Sequence, residues 1–263
     1  MKLFNRDISM IVRNAYRIPA YLTHFIHCLF VFTNPFHFLL SYLRMRPPGS
    51  GFVKMRDGTI IHLSGHPHDI VTVFIIFIRR DYGKVPAGSR VVDIGANIGA
   101  FSLYAARCGA SKITAYEPNS EAFQCLQRNI QTNSLTSVIS PRQFAATGTA
   151  GKLVPFPKKA SAYNAILQNN STEEYELVET ISLTNIVEEM GRIDFLKMDC
   201  EGAEWDILRH AKPSDLASIH TIRMEYHLGF QKEISSLLES NGYRLQYHMG
   251  TKDSGTMWFE RSS

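Results

Sequence analysis

From residue 90 onward, short apolar segments alternate along the chain with longer segments in which apolar residues recur every three or four positions. The short segments predict buried strands, and the longer periodic ones predict amphipathic helices. Five strands are predicted, over residues 90–94, 112–117, 138–144, 193–198 and 219–225. Helices are predicted at 99–108, 120–132, 203–211 and 230–241. Strands that alternate with helices indicate an α/β fold with a doubly wound, mostly parallel sheet, which segments 243–248 and 256–259 close as an antiparallel pair.

The first third of the chain has a different pattern. It predicts helices over 9–33 and from Pro35 to just before Pro47, a hairpin around Asp57-Gly58, and a helix over 70–80. The domain organisation predicted is therefore a helical and β-hairpin extension over residues 1–82, followed by a second domain over 83–263. Residues 148–180 are the least patterned segment, and we expect them to form a surface excursion.

Residues 18–43 contain no charged side chain, and basic residues flank the segment on both sides. The sequence Asn34-Pro35 interrupts it, and the part before Pro35 is short for a membrane span. Two packed or interfacial helices are favoured. Attachment to a membrane surface through residues 9–46 and a true span stay open as alternatives.

Charge and cysteine content limit the classes of function. Residues 1–60 hold eight Lys or Arg and two Asp, a net charge of +6, while the whole chain has +4, so the remainder carries −2. No basic run interleaved with aromatic residues is present, which argues against a nucleic-acid surface. The four cysteines are scattered and give no disulfide or zinc spacing, so a cytoplasmic location is expected.

The segment 91–101, VVDIGANIGAF, is typical of a nucleotide-cofactor turn: a strand ends in Asp93, a turn holds Gly95, and a helix begins at Gly99. A pyrophosphate dinucleotide would favour G-x-G-x-x-G, but Asn97 stands two residues after Gly95. An acid at position 93 repels a pyrophosphate and suits the ammonium of S-adenosylmethionine (SAM). Glu117 ends the next strand, where a carboxylate can accept both hydroxyls of a ribose.

Three segments, 92–101, 115–119 and 193–204 (IDFLKMDCEGAE), together resemble the FkbM family of SAM-dependent methyltransferases. The third segment is the family-specific one, and the resemblance covers about residues 83–248. It implies a class I methyltransferase (Rossmann-like) sheet of seven strands and methyl transfer, usually to an oxygen and often on a sugar or a natural product.

The resemblance also implies the residues that contact SAM. The methionine side would be lined by residues of the glycine turn, the ribose would bind at the end of the second strand, and the adenine would lie just after the third. The residues so implied are Asp93, Gly95, Ala96, Asn97, Gly99, Glu117, Pro118 and Ala145, with Ala146 as the alternative to Ala145.

Catalytic candidates lie where the fourth and fifth strands end. Asp199 and Glu225 end those strands, and Glu201 and His227 follow them. In one alternative, these side chains, Asp199 and Glu225 first, bind Mg or Mn, which lowers the pKa of the acceptor hydroxyl. In the other there is no metal: Asp199 touches SAM or substrate, Glu201 caps the following helix, and His227 or Glu225 is the general base.

Four further residues have interpretations of their own. Lys197 is either a buried counter-ion to a neighbouring acid or a catalytic group. Cys200 is expected to be a packing residue rather than a nucleophile, and Tyr163-Asn164 is a candidate lid.

The function predicted is SAM-dependent O-methylation of a hydroxyl on a sugar, glycolipid or small natural product, with a small-molecule or glycan acceptor. The alternative is a catalytically inactive SAM-fold scaffold or membrane-surface protein, in a cytoplasmic or membrane-associated location. A nicotinamide oxidoreductase is disfavoured by Asp93 and Asn97.

Overall fold

The structure is a computed structural model that describes residues 2–3, 6–7, 18–159 and 174–262, with side chains from residue 22 onward. The chain divides into two compact units, Met1–Asp81 and Tyr82–Ser263. Whether the two units fold independently, as the predicted domain organisation assumes, stays a prediction. The start of the helix predicted over 9–33, and Tyr163-Asn164, lie outside the described residues.

The described residues of the first unit form four short strands and three helices. In chain order these are β1 (Lys2–Leu3), β2 (Arg6–Asp7), α1 (Ile18–Val31), α2 (Pro35–Arg44), β3 (Phe52–Lys54), β4 (Ile60–His62) and α3 (Asp69–Phe74), which continues as a π-helical turn, Ile75–Arg79. β3 and β4 form the predicted antiparallel hairpin. Among the described residues, no helix combines the length and the apolar character that crossing a bilayer requires.

Aromatic stacking forms the core of this first unit. Phe32 stacks on Phe38 with ring centroids 3.8 Å apart, and Tyr42 stacks on Phe74 at 4.0 Å. Asn34 begins α2 by accepting a hydrogen bond from the backbone N–H of residue 37, and Pro35 occupies the first helical turn, where no N–H is needed. The Asn34-Pro35 interruption therefore separates two helices that pack on each other.

In the described residues of the second unit, the main sheet has seven strands. They are β5 (Arg90–Ile94), β6 (Lys112–Tyr116), β7 (Ile139–Arg142), β11 (Ile193–Met198), β12 (Ile219–Tyr226), β13 (Tyr243–Gly250) and β14 (Gly255–Arg261). Their order in the sheet is β13-β14-β12-β11-β5-β6-β7, parallel except for the antiparallel β14 pairings with β12 and β13. The predicted fold class is confirmed. Because strand order reverses between β5 and β11, the ligand crevice of such a sheet lies at the carboxyl ends of these two strands.

Among the residues that the structure describes, six helices accompany this sheet. They are α4 (Ala100–Arg107), α5 (Ser120–Thr132), α6 (Leu183–Met190), α7 (Glu204–Arg209), α8 (Pro213–Ala217) and α9 (Gln231–Ser240). The helix predicted over about 203–211 corresponds to α7, which ends at Arg209; α8 was not predicted, and it begins at Pro213, a residue that favours the first turn of a new helix.

The prediction that residues 148–180 form an unpatterned surface excursion is only partly correct. β9 (Leu153–Pro157) and β10 (Tyr175–Ile181) pair antiparallel, and β8 (Ala145–Ala146) pairs parallel with β10. β9 contains two prolines, so the sequence does not predict a strand there. The prolines are tolerated because β9 is an edge strand of this small sheet. In β10 the buried residues are Val178 and Thr180, and exposed residues alternate with them. Each face of the strand carries both polar and apolar side chains.

The glycine turn after β5 is shaped by contacts within the protein. Gly95 has φ +73°, and a Cβ built there would lie 1.8 Å from the carbonyl oxygen of Asp199. Gly99 has φ +84°, and its Cβ would lie 2.4 Å from Leu126. The sequence interpretation attributed these glycines to the close approach of a ligand. In the structure they also allow β11 and α5 to approach the turn.

We predict that Gly95→Ala destabilises the protein far more than Gly88→Ala. Both glycines have positive φ, but a Cβ at Gly88 meets nothing within 4 Å. Gly88→Ala should therefore cost only the conformational term, about 1–2 kcal/mol, whereas Gly95→Ala adds an overpacking term of about 1–3 kcal/mol or more. Urea unfolding of the two variants measures the difference. Equal losses of stability would contradict the contact with Asp199.

Candidate active site

Glu117 joins the end of β6 to the glycine turn. Its Oε2 accepts a hydrogen bond from the backbone N–H of Asn97 at 2.7 Å, and its Oε1 accepts one from the N–H of Asn119 at 2.9 Å. Asn97 has φ +50°, so this bond fixes a residue in the left-handed conformation. Burial raises the pKa of Glu117 to about 7, against the opposing effect of these two N–H groups.

Asp93 is fully buried beneath the turn. Its Oδ2 accepts a hydrogen bond from the hydroxyl of Ser102 at 2.7 Å, and its Oδ1 lies 3.2 Å from Nζ of Lys197. The same Nζ donates to the carbonyl oxygens of Gly95 at 2.7 Å and Ile94 at 3.3 Å. Burial disfavours the charged ammonium, but Asp93 and then Asp199 outweigh it and raise the pKa of Lys197. Of the two interpretations of Lys197, the structure shows the buried counter-ion. The contact of Asp93 with a cofactor ammonium stays a prediction.

The remaining predicted cofactor residues divide between the turn and the small sheet. Ala96 is buried in the turn, and its N–H donates to the carbonyl oxygen at the end of β6. Pro118 follows Glu117, and its carbonyl oxygen accepts a 3.3 Å bond from Gln143, which brings the segment after β7 to the end of β6. Ala145 packs in the core of the three-stranded sheet, so a contact with adenine is left to its backbone.

Asn97 carries a polar atom that suits a ligand. Its side-chain oxygen is buried and accepts no hydrogen bond within the part of the chain that the structure describes. A buried acceptor without a donor costs about 1–3 kcal/mol. The hydroxyl or ammonium donors of SAM would remove that cost at the turn where the sequence places the cofactor. The residues present therefore fit SAM.

Four acidic or basic side chains predicted for catalysis converge on one rim. Nε2 of His227 lies 3.4 Å from Oε2 of Glu201 and 3.9 Å from Oε1 of Glu225. Ligand atoms of Asp199, Glu201 and His227 all lie within 4.8 Å of one another. Oδ2 of Asp199 accepts a 2.8 Å hydrogen bond from the hydroxyl of Tyr82. The strand ends therefore meet as predicted, although their catalytic roles stay predictions.

The loop between β11 and α7 depends on Glu204. Its buried carboxylate accepts hydrogen bonds from the N–H groups of Cys200 at 2.9 Å and Gly202 at 3.0 Å, and Nδ1 of His227 lies 3.2 Å away. Glu201, at φ +52°, projects from this loop toward the rim. Within the metal-free alternative, one part is wrong: Glu201 does not cap the helix, which has no side-chain cap, and Glu204 accepts the N–H groups of the loop instead.

Burial and neighbouring charge set the ionisation of the rim. Burial first, and then the charge of Asp199, raise the pKa of Glu201 to about 8. Burial lowers the pKa of His227, but the bond to Glu204 and the nearby carboxylates outweigh it and raise it to about 9. His227 is then an imidazolium near pH 7 and holds no lone pair for a proton, which disfavours it as the general base. Burial also raises the pKa of Cys200 well above its ordinary range, as expected for a thiol that is not a nucleophile.

Sequence analysis missed two residues of this site. Tyr82 lies just after the helix predicted over 70–80, and 117 positions separate it from Asp199, so no local pattern connects them. Glu204 lies in the first turn of the helix predicted over 203–211, where a carboxylate is explained by the helix dipole alone. The sequence shows that Glu204 lies four and two residues after the N–H groups from which it accepts hydrogen bonds. It does not show the loop with positive φ that brings these groups to the carboxylate.

The strand order, the glycine turn at the point of reversal and the carboxylate at the end of the second strand define a class I methyltransferase. The family described as "Methyltransferase FkbM domain" matches residues 93–245. The chain therefore belongs to the FkbM methyltransferase family. The sequence resemblance is confirmed, and the fold implies SAM as cofactor.

Two curated relatives show the extent of the similarity. The chain is 28% identical over 198 residues to "Methyltransferase sdnD" of Sordaria araneosa, covering 62% of this chain and 76% of the relative. It is 26% identical over 194 residues to "Methyltransferase 1" of Beauveria bassiana, covering 64% and 78%. Among solved structures, a ribosomal protein L11 methylase from Lactobacillus delbrueckii subsp. bulgaricus matches with TM-score 0.46 and 12% identity, over 74% of this chain and 80% of that one.

We predict that Glu117→Gln weakens SAM binding about 10–100-fold, because a hydrogen bond to a charged group contributes about 1.5–3 kcal/mol. The exposed Glu121→Gln on α5 is the matched control and should keep the affinity of the parent chain. Isothermal titration of both variants with SAM measures the effect. An unchanged dissociation constant for Glu117→Gln would contradict the ribose assignment.

We also predict that folding stability falls as pH rises from about 5 to 8. Glu201 binds its proton more tightly in the folded chain, with a pKa near 8 against an ordinary value of 4.5. The folded state therefore holds more protons across this range, and raising the pH favours unfolding. His227 acts in the same direction between pH 6.5 and about 9.

The Glu201→Gln variant isolates this contribution, since glutamine does not ionise. Relative to the parent chain it should gain at least about 1 kcal/mol of unfolding free energy between pH 5 and pH 8, because one pKa unit corresponds to about 1.4 kcal/mol. Urea titrations at the two pH values measure it, with the exposed Glu239→Gln as control. Parallel pH profiles for all three chains would show that Glu201 keeps an ordinary pKa.

Proposed function

We propose that the protein transfers the methyl group of SAM to a hydroxyl of a small-molecule or glycan acceptor, such as a sugar, a glycolipid or a natural product. The observation that supports this most is the half-buried Glu201, which lies beside His227 at the carboxyl edge of the sheet and has a pKa near 8. A hydroxyl is a weak nucleophile until its proton is removed, and a base works best when its pKa lies near the working pH. Glu201 meets that requirement.

The charge of the crevice suits a cationic cofactor. Six carboxyl groups lie around the turn and the rim, at Asp93, Glu117, Asp199, Glu201, Glu204 and Glu225, against the two cations Lys197 and His227. A crevice lined by an excess of one sign concentrates ligands of the other sign. Bound SAM supplies a methyl group on a positively charged sulfur. Glu117 and Asn97 would hold its sugar and amino-acid portions.

Each rim residue has a separate proposed part. Glu201 accepts the hydroxyl proton. Asp199, held by the hydroxyl of Tyr82, and Glu225 orient the acceptor by accepting hydrogen bonds from its other hydroxyls, which a polyol or sugar supplies. His227 is a positioning residue: its imidazolium lies between Glu204 and Glu201 and keeps the pKa of Glu201 from rising further.

A divalent cation is the second candidate for activating the hydroxyl. The ligand atoms of Asp199, Glu201 and His227 lie close enough to hold one. A metal needs His227 in its neutral form, however, whereas the carboxylates around it raise its pKa to about 9. The metal-free alternative therefore has the stronger support. Glu225, which the sequence analysis named among the first metal ligands, also lies farther from His227 than Glu201 does.

We predict that Glu201→Gln lowers the rate of methyl transfer on the order of 10²–10⁴-fold, since it removes the general base. SAM affinity should fall much less than the rate, by no more than about tenfold, because Glu201 contacts none of the turn residues described above and acts on a bound cofactor through its charge alone. The measurement is release of S-adenosylhomocysteine with a panel of sugars, glycolipids and hydroxylated natural products, with Glu239→Gln as control and NMR of the product to locate the methyl group.

Two other results would redirect the proposal. Loss of turnover on chelation, restored by Mg²⁺ or Mn²⁺ with SAM binding unchanged, would assign the activation to a metal at Asp199. Tight SAM binding with no transfer to any hydroxyl acceptor would favour the inactive scaffold. Methylation at nitrogen or carbon would contradict the O-directed reaction.

A further inference from the structure

One side of α1 exposes a continuous apolar stripe. The exposed residues recur at intervals of three and four positions, so they share one helix face: Leu22, Ile26, Leu29 and Phe30. Phe30 is 73% exposed. Cys28, on the other side, is completely buried. A helix of a globular unit normally buries its apolar face, and this one carries a second apolar face that the described chain leaves uncovered.

The helix α2 extends the same kind of surface. Phe36 is 76% exposed and Leu40 is 43% exposed, and Arg44 follows at the same spacing of four residues. The three side chains therefore lie along one face, two apolar groups followed by a cation at the last turn. Phe38 and Tyr42 lie on the opposite, buried face and supply the packing against the rest of the unit.

The surroundings of these two stripes are basic. From residue 8 to residue 56 the chain contains no Asp or Glu. Backbone hydrogen bonds hold the β3–β4 hairpin to the end of α1, between the N–H of Thr33 and the carbonyl of Lys54 and between the N–H of Arg56 and the carbonyl of Val31. Lys54 and Arg56 are exposed, and the guanidinium of Arg56 donates to the carbonyl of Leu29, within the exposed stripe.

We propose that the α1–α2 face, defined by the four α1 residues above together with Phe36 and Leu40, docks on the surface of a bilayer that carries anionic headgroups. Apolar side chains that enter the headgroup region beside Lys and Arg side chains are the arrangement by which interfacial helices bind lipid. Because each helix buries its other side in protein, only one face of each meets lipid, which corresponds to attachment rather than to spanning.

Charge also favours an anionic bilayer over a second copy of the chain as the partner of this face. A symmetric dimer through this face would bring Arg44, Lys54 and Arg56 of two copies together, six basic side chains against the neighbouring Asp57 of each copy. Anionic lipid headgroups are complementary to the same residues. The proposal is independent of the methyl acceptor and of catalysis.

The test is flotation of the full chain with two kinds of vesicle, phosphatidylcholine alone and phosphatidylcholine with about 30% phosphatidylserine. We expect binding at least about tenfold stronger to the anionic vesicles, because several basic side chains near the surface each add attraction. The double variant Phe30→Ser with Phe36→Ser should bind at least about tenfold more weakly than the parent chain, since each buried phenylalanine contributes at least that factor. Both residues are exposed, so the fold should tolerate the change.

Two further variants make the result specific. Arg44→Gln with Lys54→Gln should lose the preference for anionic vesicles and keep the weak binding to neutral ones. Leu153→Ser with Leu177→Ser replaces two exposed apolar residues of the small sheet and should bind like the parent chain. Equal binding by the parent chain and the phenylalanine variant would overturn the proposal. So would a dimer in light scattering that only the phenylalanine variant abolishes, because it would assign the face to a second copy.

Discussion

A buried lysine ammonium under the glycine turn is the interaction on which the site depends. Lys197 and Asp93 lie side by side in the register of β11 and β5, and both side chains are excluded from solvent. Removing each charge from water costs several kcal/mol, so neither is stable there without the other. The ammonium also binds the carbonyl oxygens of Ile94 and Gly95, which are the last two residues before the turn changes direction. The path of the turn is thus fixed by a cation below it rather than by the glycines alone.

The same cation connects the cofactor turn to the catalytic rim. Its charge lowers the pKa of Glu117 on one side, and the charge of Asp199 raises the pKa of Lys197 from the other. The backbone N–H of Asp199 donates to Ile94, and its carbonyl oxygen occupies the space that a side chain at Gly95 would need. The glycine turn and the rim are therefore parts of one electrostatic unit around the ends of β5 and β11, which on the proposed function couples cofactor binding to acid–base chemistry.

The sheet and the turn could be predicted from the sequence because their signals are local. Apolar strand runs, helical periodicity and the Asp93–Gly99 spacing each occupy a few consecutive residues, and the carboxyl ends of parallel strands necessarily share one edge. Asp199, Glu201, Glu225 and His227 were brought together by that argument alone. The argument could not predict Tyr82, which is far from the rim residues in sequence. Nor could it predict that Glu204 rather than Glu201 binds the loop N–H groups, because that depends on two residues with positive φ. β9 was hidden because its prolines are compatible with a strand only at an edge.

The rim combines conformational strain with charge repulsion; Glu204 offsets the strain and holds His227, whose charge offsets the repulsion. A non-glycine residue at φ +52° costs about 1–3 kcal/mol, and Glu204 holds Glu201 there through the N–H groups on either side of it. Glu204 also binds His227, whose positive charge is the one contribution from the rim that lowers the pKa of Glu201. A positive charge near a carboxyl group favours its ionised form. On the proposed function, a cationic cofactor beside this cluster acts in the same direction as His227. Its binding therefore favours the ionised form of Glu201, which can take the proton of the substrate hydroxyl.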